Sequence, residues 1–303
     1  MLVEREALCR ALGATDIEAE PVSLSPGAPE RLTATLPAGR RTFFVRKSAD
    51  VDRRETHLAV MEALERSGFQ HTARLVAVVD GTAIETFVEG LTAMQVEPAA
   101  TALDAAIDAF AALHALRLRE GLRWGQAPVA MLPGADMQLF RLGFTSAERD
   151  AAAPWLAAAA EALAASTFGF CHGAATADHV VFGPTGPQLV NFERAGFGPQ
   201  LFDVAAFLAT AGVPAEKRRE LAARYAEQRG LGEEETADLT DMATLLWGLD
   251  WLLGLPRRLI VNLGDDVASA ELRLMASRVD EAVRSPAGDH PAAAGLRRAL
   301  WGD

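Results

Sequence analysis

Two neighbouring stretches decide the fold of this chain: residues 170–182 read FCHGAATADHVVF, and residues 190–207 read VNFERAGFGPQLFDVAAF. The segments FGFC, HVVF and QLVNF in this region are rich in the β-branched and aromatic residues that favour short strands. Residues 183–187, GPTGP, separate the last two segments and have the composition of a turn. The sequence therefore predicts a short β-hairpin over residues 180–192, inside a part of the chain that is otherwise helical.

The register of this hairpin would bring two polar side chains together. If all five residues 183–187 form the loop, Phe182 opposes Gln188 and the ladder ends with His179 opposite Asn191. The loop over residues 173–178 arrives at the same end of the hairpin. We therefore expect this loop, His179 and Asn191 to converge at one site.

The first ninety residues have a different pattern. A short helix over residues 2–12 precedes two strand-like runs, RLTATL and RTFFVRK, and an amphipathic helix over residues 52–67. Two more strands, ARLVAVVD and TAIETFVE, follow and are joined by Asp80-Gly81, a strong tight-turn signal. Because Gly90 closes this unit, the pattern predicts a small lobe over residues 1–90, built from a sheet and one main helix.

The rest of the chain is mostly helical. Alanine-rich or amphipathic helices are predicted over residues 99–119, 146–165, 203–212, 215–228 and 235–254, with a last pair after residue 266. Residues 91–303 therefore form a second, larger helical lobe that carries the hairpin. The combination of the two parts predicts an α+β protein.

Composition excludes several classes of function. The chain has 303 residues, half of them apolar, and a formal net charge of −12. An acidic surface repels polyanions, which argues against nucleic acid as a partner. No stretch is apolar enough for a membrane span, and the first ten residues lack the apolar core of a signal peptide. The two cysteines, Cys9 and Cys171, are too few for a disulfide framework, which is typical of a cytoplasmic protein.

The two stretches quoted above resemble the catalytic segment of the aminoglycoside phosphotransferase and choline kinase family. That segment contains His-Gly-Asp, four variable residues, Asn, a hairpin, Ile-Asp-Trp-Glu and a downstream Asp. His172, Gly173, Glu193, Gly196 and Asp203 fall on matching positions with the same spacing. The resemblance implies a two-lobed protein-kinase-like fold, with a small antiparallel-sheet N-lobe and a larger, mainly helical C-lobe that carries a short catalytic β-hairpin.

The first lobe also resembles the nucleotide-binding side of this family. Residues 27–47 resemble the phosphate loop, with Gly27, and the strands after it. The resemblance implies that Arg46 or Lys47 contacts the phosphates and that Glu55 pairs with that cation from the helix. Strand alternation puts only one of the two cations inward, and the sequence leaves the choice open. Adenine would meet the backbone of the strand and linker at Glu85, Phe87 and Val88.

Three central positions depart from the family pattern. The catalytic Asp, which orients and deprotonates the substrate hydroxyl, falls on Ala174. The metal-binding Asn falls on His179, and the second metal-binding Asp falls on Asn191. Because magnesium prefers hard oxygen ligands and usually sits on one or two carboxylates, these replacements weaken the expected metal site. His172 and Asp203 keep the role, implied by the resemblance, of bracing the loop over residues 172–179.

These departures favour a pseudokinase, which binds a small molecule or a protein partner in the interlobe cleft with lost or strongly reduced phosphoryl transfer. No cofactor is certain, and ATP and Mg²⁺ would bind only if some nucleotide binding is retained. The alternative is an active ATP-dependent phosphotransferase acting on an amine or a sugar hydroxyl, in which Glu193 or Asp178 replaces the missing carboxylate. A third alternative is an enzyme of different chemistry that reuses the cleft through Cys171 or His172, although a buried, inert thiol is the competing interpretation of Cys171. The sequence does not decide the identity of the ligand or the oligomeric state.

Overall fold

The computed structural model describes residues 5–21, 30–46, 50–118, 125–126, 135–261, 266–286 and 290–302. The N-terminal part alternates helices with the strands of one antiparallel sheet. Its elements are α1 (Arg5–Leu12), β1 (Asp16–Pro21), β2 (Glu30–Leu36), β3 (Gly39–Arg46), α2 (Val51–Ser67), β4 (Leu75–Val79) and β5 (Thr82–Thr86). The strand order in the sheet is β1-β2-β3-β5-β4.

Different helices lie on the two faces of this sheet. Leu8 of α1 lies in a fully buried cluster with Leu32, Val45 and Ile84 from three strands. The helix α2 begins at the N-cap Asp50, whose side chain accepts a hydrogen bond from the Arg53 amide, and ends at Gly68, which has a left-handed φ of 74°. Its apolar stripe belongs to the main core of the molecule instead. The face toward α1 is therefore the buried one, whereas Val76 and Val78 of β4 are exposed.

The C-terminal part is mainly helical and holds two small three-stranded sheets. Its elements are β6 (Leu91–Thr92), α3 (Ala100–His114), β7 (Gly125–Gln126), α4 (Ala135–Arg141), α5 (Ser146–Ala164), β8 (Phe168–Cys171), a 3₁₀ turn (Ala177–His179), β9 (Val180–Gly183), β10 (Gly186–Leu189), β11 (Gly196–Pro199), α6 (Leu201–Thr210), α7 (Ala215–Arg229), α8 (Glu233–Val261), α9 (Asp266–Arg284) and α10 (Pro291–Trp301). Every residue of α6 is buried, so this helix forms the centre of the core. No helix in the described residues is long and apolar enough to cross a membrane.

The predicted hairpin exists, but the predicted register is wrong by one residue. In the structure Val181 pairs with Gln188 and Val180 with Leu189, because Gly183 and Gly186 pair and leave only Pro184 and Thr185 in the turn. Proline fixes the φ angle that such a turn needs, and Gly186 has a φ of 94°, which glycine adopts without strain. The Val190 amide then donates to the carbonyl of His179, so Asn191 is not directly opposite His179.

The connection between the sheet and the helical part passes close to this hairpin. β6 pairs with β9, and a methyl group on Gly90 would lie 2.2 Å from the Phe182 carbonyl oxygen. On the other side of the same contact, a methyl group on Gly183 would lie 2.1 Å from the Glu89 carbonyl oxygen. Both positions therefore need glycine for backbone packing.

We expect Gly183→Ala to lower the free energy of unfolding by about 1–3 kcal/mol, because the added methyl must push two backbone segments apart. The measurement is urea denaturation followed by circular dichroism. Gly232→Ala is the matched control, since a methyl group there meets nothing closer than 3.7 Å and the backbone has no positive φ. Equal stability of the two variants would contradict the close approach.

Candidate functional site

One buried carboxylate holds the loop over residues 172–179 in place. Asp203, in the first turn of α6, is 2 % exposed. Its Oδ2 accepts a hydrogen bond from the backbone amide of His172 at 2.5 Å, and its Oδ1 accepts one from Gly173 at 2.9 Å. A methyl group on Gly173 would meet the Arg194 carbonyl at 1.9 Å, so the loop is tightly packed on its other side. Asp203 thus fixes the start of the loop through its backbone.

A series of side-chain hydrogen bonds connects Asp203 to helices of the core. His114, the last residue of α3, donates from Nε2 to Asp203 Oδ2 at 3.1 Å, and its Nδ1 accepts from the Tyr225 hydroxyl at 2.8 Å. Burial lowers the pKa of His114 and raises that of Tyr225, which keeps both side chains neutral. Sequence reasoning missed Tyr225. The available signal was that it is the single tyrosine of the chain and lies on an amphipathic helix.

His172 ties the loop to the end of the hairpin. Its Nε2 donates to the Val190 carbonyl at 2.9 Å, and its Nδ1 accepts from the Ala174 amide at 3.3 Å. Burial lowers the pKa of this imidazole to about 4, so the ring is neutral at neutral pH and can act as donor and acceptor at once. Both ring nitrogens of His172 are therefore hydrogen-bonded to the backbone.

The structure brings Ala174, His179 and Asn191 together, as predicted, although by a different route. Asn191 has a φ of 70°, and this left-handed turn returns its side chain to the 3₁₀ turn that carries His179. His179 Nδ1 donates to the Ala174 carbonyl at 2.6 Å, and Asn191 Nδ2 donates to His179 Nε2 at 2.9 Å. Both ring nitrogens of His179 are thus occupied. Asn191 Oδ1 is buried and has no hydrogen-bond partner among the residues that the structure describes.

The two carboxylates nearest to this group lie at its edge. Asp178 belongs to the 3₁₀ turn, its side chain is 43 % exposed, and its Oδ2 lies 3.6 Å from His179 Nε2. Glu193 is half-buried. Glu193 does not share a strand face with Asn191, because β10 ends at Leu189 and the left-handed Asn191 breaks the alternation.

The cation of the N-terminal sheet is paired with a carboxylate that the sequence analysis did not expect. Arg46 Nε lies 3.7 Å from Glu85 Oε1, and the same oxygen bonds His57 Nε2 at 2.6 Å. Glu85 and His57 are each 2 % exposed. Burial pushes the pKa of Glu85 up, but the hydrogen bond and charge of His57 and the charge of Arg46 outweigh it, so the pKa is lowered and the carboxylate stays ionised.

Arg46 does not pair with Glu55, and Lys47, the other cation predicted for that pairing, lies outside the described residues. Glu55 lies on the exposed face of α2, whereas His57 is buried on the face toward the sheet. Two residues that are two positions apart on a helix point about 200° apart, so both cannot face the sheet. The helix therefore contributes an imidazole at this place, and β5 contributes the carboxylate.

The remaining predicted nucleotide contacts are only partly described. Gly27 and Lys47 lie outside the described residues, and Arg46 shares a sheet face with Glu85. The ring of Phe87 packs on that of Phe44 with centroids 4.8 Å apart, and Val88 is half-buried against the core. The structure thus places Arg46 on the face of the sheet that carries α2.

Cys171 at the end of β8 is a buried thiol. Its Sγ donates to the Gly198 carbonyl at 3.3 Å. Burial, together with the charge of Asp203, raises the pKa of this thiol well above its usual value, so it is protonated at neutral pH. This argues against a thiolate nucleophile at the site.

The amino-acid sequence matches the profile of a known protein family. The profile described as phosphotransferase enzyme family matches residues 32–240, which is more than half of the chain. The chain belongs to the phosphotransferase enzyme family. The resemblance stated from the motif around His172 is therefore confirmed at the level of the family. No curated protein matches the chain by sequence comparison.

Solved structures of phosphotransferase family members share the fold of the chain at low sequence identity. A choline/ethanolamine kinase family protein from Mesorhizobium loti is 16 % identical, with a TM-score of 0.64, and the match covers 94 % of each chain. The AMP-bound spectinomycin phosphotransferase is 9 % identical, with a TM-score of 0.65 and 96 % coverage of each chain. Choline kinase from Streptococcus pneumoniae is 13 % identical, with a TM-score of 0.59, covering 91 % of this chain and 97 % of its own. The predicted two-lobed, protein-kinase-like α+β fold is confirmed.

Acid should destabilise this phosphotransferase-family fold through its buried histidines. Because the pKa of His172 is lower in the folded protein than in the unfolded chain, the unfolded chain binds the proton more tightly. The stability is complete above the unfolded value of about 6.5 and falls as the pH decreases toward 4, by on the order of 3 kcal/mol for His172 alone. His114 contributes in the same direction.

Urea denaturation at several pH values between about 7 and 4.5 measures this loss. His172→Gln should show a flatter pH dependence than the wild type. His290→Asn is the control, since asparagine can also cap α10 and the histidine there is half-buried. A pH dependence that is unchanged in His172→Gln would contradict the neutral, buried imidazole.

Proposed function

We propose that the chain is a pseudokinase, a member of the phosphotransferase enzyme family that binds a ligand between its lobes with lost or strongly reduced phosphoryl transfer. The observation that carries this proposal is the hydrogen bond between the side chains of His179 and Asn191. The imidazole uses one nitrogen on the Ala174 carbonyl and the other on the Asn191 amide. Groups that bind each other in this way are not poised to receive a metal or a substrate proton.

The residues at this site do not fit a magnesium ion. Magnesium takes hard oxygen ligands in octahedral geometry and usually sits on one or two carboxylates. Ala174 offers no side-chain ligand, and both nitrogens of His179 are already hydrogen-bonded. Of these three central positions, only Asn191 offers a free ligand atom, its neutral Oδ1. Within the described residues, no group of three or more histidine, cysteine, aspartate or glutamate side chains could hold a metal ion.

The ligand proposed for this site is a small molecule that carries a hydroxyl or an ammonium group. Asn191 Oδ1 is a buried acceptor with no partner among the described residues, and leaving such a group unsatisfied costs about 1–3 kcal/mol. A donor from a ligand or from water would remove that cost. The solved relatives are named for choline, ethanolamine and spectinomycin, which carry such donors. A segment of a protein partner with a similar donor would meet the same chemistry.

The second candidate function is active phosphoryl transfer with a relocated carboxylate. Asp178 favours it, because its Oδ2 lies only 3.6 Å from His179 Nε2 and its side chain is accessible. Glu193 is the other candidate, and it is half-buried. In this function one of the two would replace the general base that Ala174 lacks, a group that contributes roughly 10²- to 10⁴-fold to the rate.

A cytoplasmic location is part of the proposal. Cys9 and Cys171 are both free thiols, as is typical of a reducing compartment. The net charge of −12 supports a partner other than nucleic acid.

The decisive experiment measures phosphoryl transfer from ATP with magnesium, using choline, ethanolamine and spectinomycin as acceptors and water as the reference. We expect the purified wild type to show no magnesium-dependent turnover above background. Asp178→Asn and Glu193→Gln should behave as the wild type does. Isothermal titration with the same three compounds should still detect binding of a ligand with a donor group, and Asn191→Leu should weaken it.

Two exposed carboxylates provide matched controls: Asp280→Asn for the aspartate change and Glu62→Gln for the glutamate change. Magnesium-dependent turnover by the wild type that is lost in Asp178→Asn or Glu193→Gln, and retained in its control, would replace the pseudokinase with the active phosphotransferase.

A further inference from the structure

Several hydrogen bonds join the segment between α2 and β4 to the hairpin. The Leu189 amide donates to the His71 carbonyl at 2.8 Å, and Thr72 Oγ1 donates to the Leu189 carbonyl at 3.0 Å. His71 Nδ1 also donates to the Pro187 carbonyl at 3.2 Å. The N-terminal lobe and the hairpin therefore meet at a defined contact beside the site already described.

A groove of about 530 Å³ lies along this contact. The N-terminal lobe contributes Gln70, Arg74 and Thr86 to its lining, and the hairpin contributes Thr185 and Gln188. Ala174, His179 and Asn191 are not among the residues that line it. The groove is thus a separate feature that spans both lobes.

Gln188 forms a polar floor for this groove. The residue is only 8 % exposed and lines the groove. Its side-chain oxygen and nitrogen are not among the buried polar atoms that lack a partner, so the amide is accessible from the groove. Buried polar groups in folded proteins almost always have a partner. Solvent or a polar group bound in the groove can therefore serve as the partner of this amide.

The charge of the groove is positive, in contrast to the rest of the protein. Arg74 is exposed and forms no ion pair within the described part of the chain, and the lining contains no aspartate or glutamate. Glu65 lines the neighbouring hollow together with Arg74 but makes no ion pair with it. On a chain with a net charge of −12, the exposed guanidinium of Arg74 is available to an anionic group in a groove that also has hydroxyl and amide side chains in its lining. Guanidinium groups bind carboxylate and phosphate groups through paired hydrogen bonds.

We propose that this groove binds a small molecule that carries a carboxylate or a phosphate group. Arg74 holds the anionic group, while Gln188 and Thr185 donate hydrogen bonds from the hairpin. Because the ligand contacts both lobes, its binding stabilises their relative placement, including the hairpin next to His179. The proposal does not depend on whether the chain transfers phosphoryl groups.

The experiment is isothermal titration of the full chain with two probes, inorganic phosphate and succinate, at constant ionic strength set with chloride. Whichever probe binds more tightly identifies the anionic group. We expect Arg74→Gln to weaken binding by at least about tenfold, since hydrogen bonds to a charged group contribute about 1.5–3 kcal/mol. Thr185→Ala, on the exposed turn, should weaken it to a smaller extent.

Arg66→Gln is the matched control, because Arg66 is exposed in the last turn of α2, does not line the groove, and its loss changes the net charge equally. Unchanged binding in this control and weaker binding in Arg74→Gln support the groove. Three results would overturn the proposal: no binding of either probe, equal weakening in both arginine variants, or loss of binding in Arg46→Gln with retention in Arg74→Gln. The last result would place the anion next to Glu85 instead.

Discussion

The structure around the site depends on the buried carboxylate of Asp203. A charge in the protein interior is tolerated only when hydrogen bonds replace the water that it has lost. Asp203 receives the backbone amides of His172 and Gly173 and the imidazole of His114, so its charge is compensated by three donors. Because two of these donors belong to the backbone, the loop conformation depends little on which side chain follows at position 174. The scaffold can persist while that side chain changes from a carboxylate to a methyl.

This explains why the sequence predicted the fold more securely than the chemistry. The motif around His172 and the distant Asp203 match the family pattern in spacing, and in this structure the Asp203 carboxylate holds the backbone of that loop. Strand and helix positions followed from local apolar patterns, and the capping residues of α2 were visible directly. The register of the hairpin could not be read from the sequence, since the composition of residues 183–187 suits a two-residue turn as well as a five-residue loop. His179 and Asn191 still meet, but through the left-handed backbone of Asn191, which residue type alone does not reveal.

The partner of Arg46 shows a second limit of sequence reasoning. Position 57 is in phase with the apolar stripe of Val60, Met61 and Leu64, so the periodicity of α2 could have placed His57 inward and Glu55 outward. The role of Glu85 had no comparable signal. It lies in a strand of which Thr82, Ala83 and Ile84 are also buried, and only the sheet register brings it to the same face as Arg46.

The pairing within this cluster bears on phosphate binding. A guanidinium at 3.7 Å from a carboxylate gains on the order of 4 kcal/mol from that charge at an effective dielectric constant of 20. A phosphate group that approaches Arg46 must compete with Glu85, which is 2 % exposed and is also held by His57, so the carboxylate cannot swing away into water. The approach of a polyanion would in addition be opposed by the buried negative charge itself. Arg46 is therefore less available to an approaching phosphate group than an unpaired arginine would be. The pairing of Arg46 with Glu85 and the hydrogen bond between His179 and Asn191 act in the same direction, because each engages groups that a phosphate or its metal ion would otherwise contact.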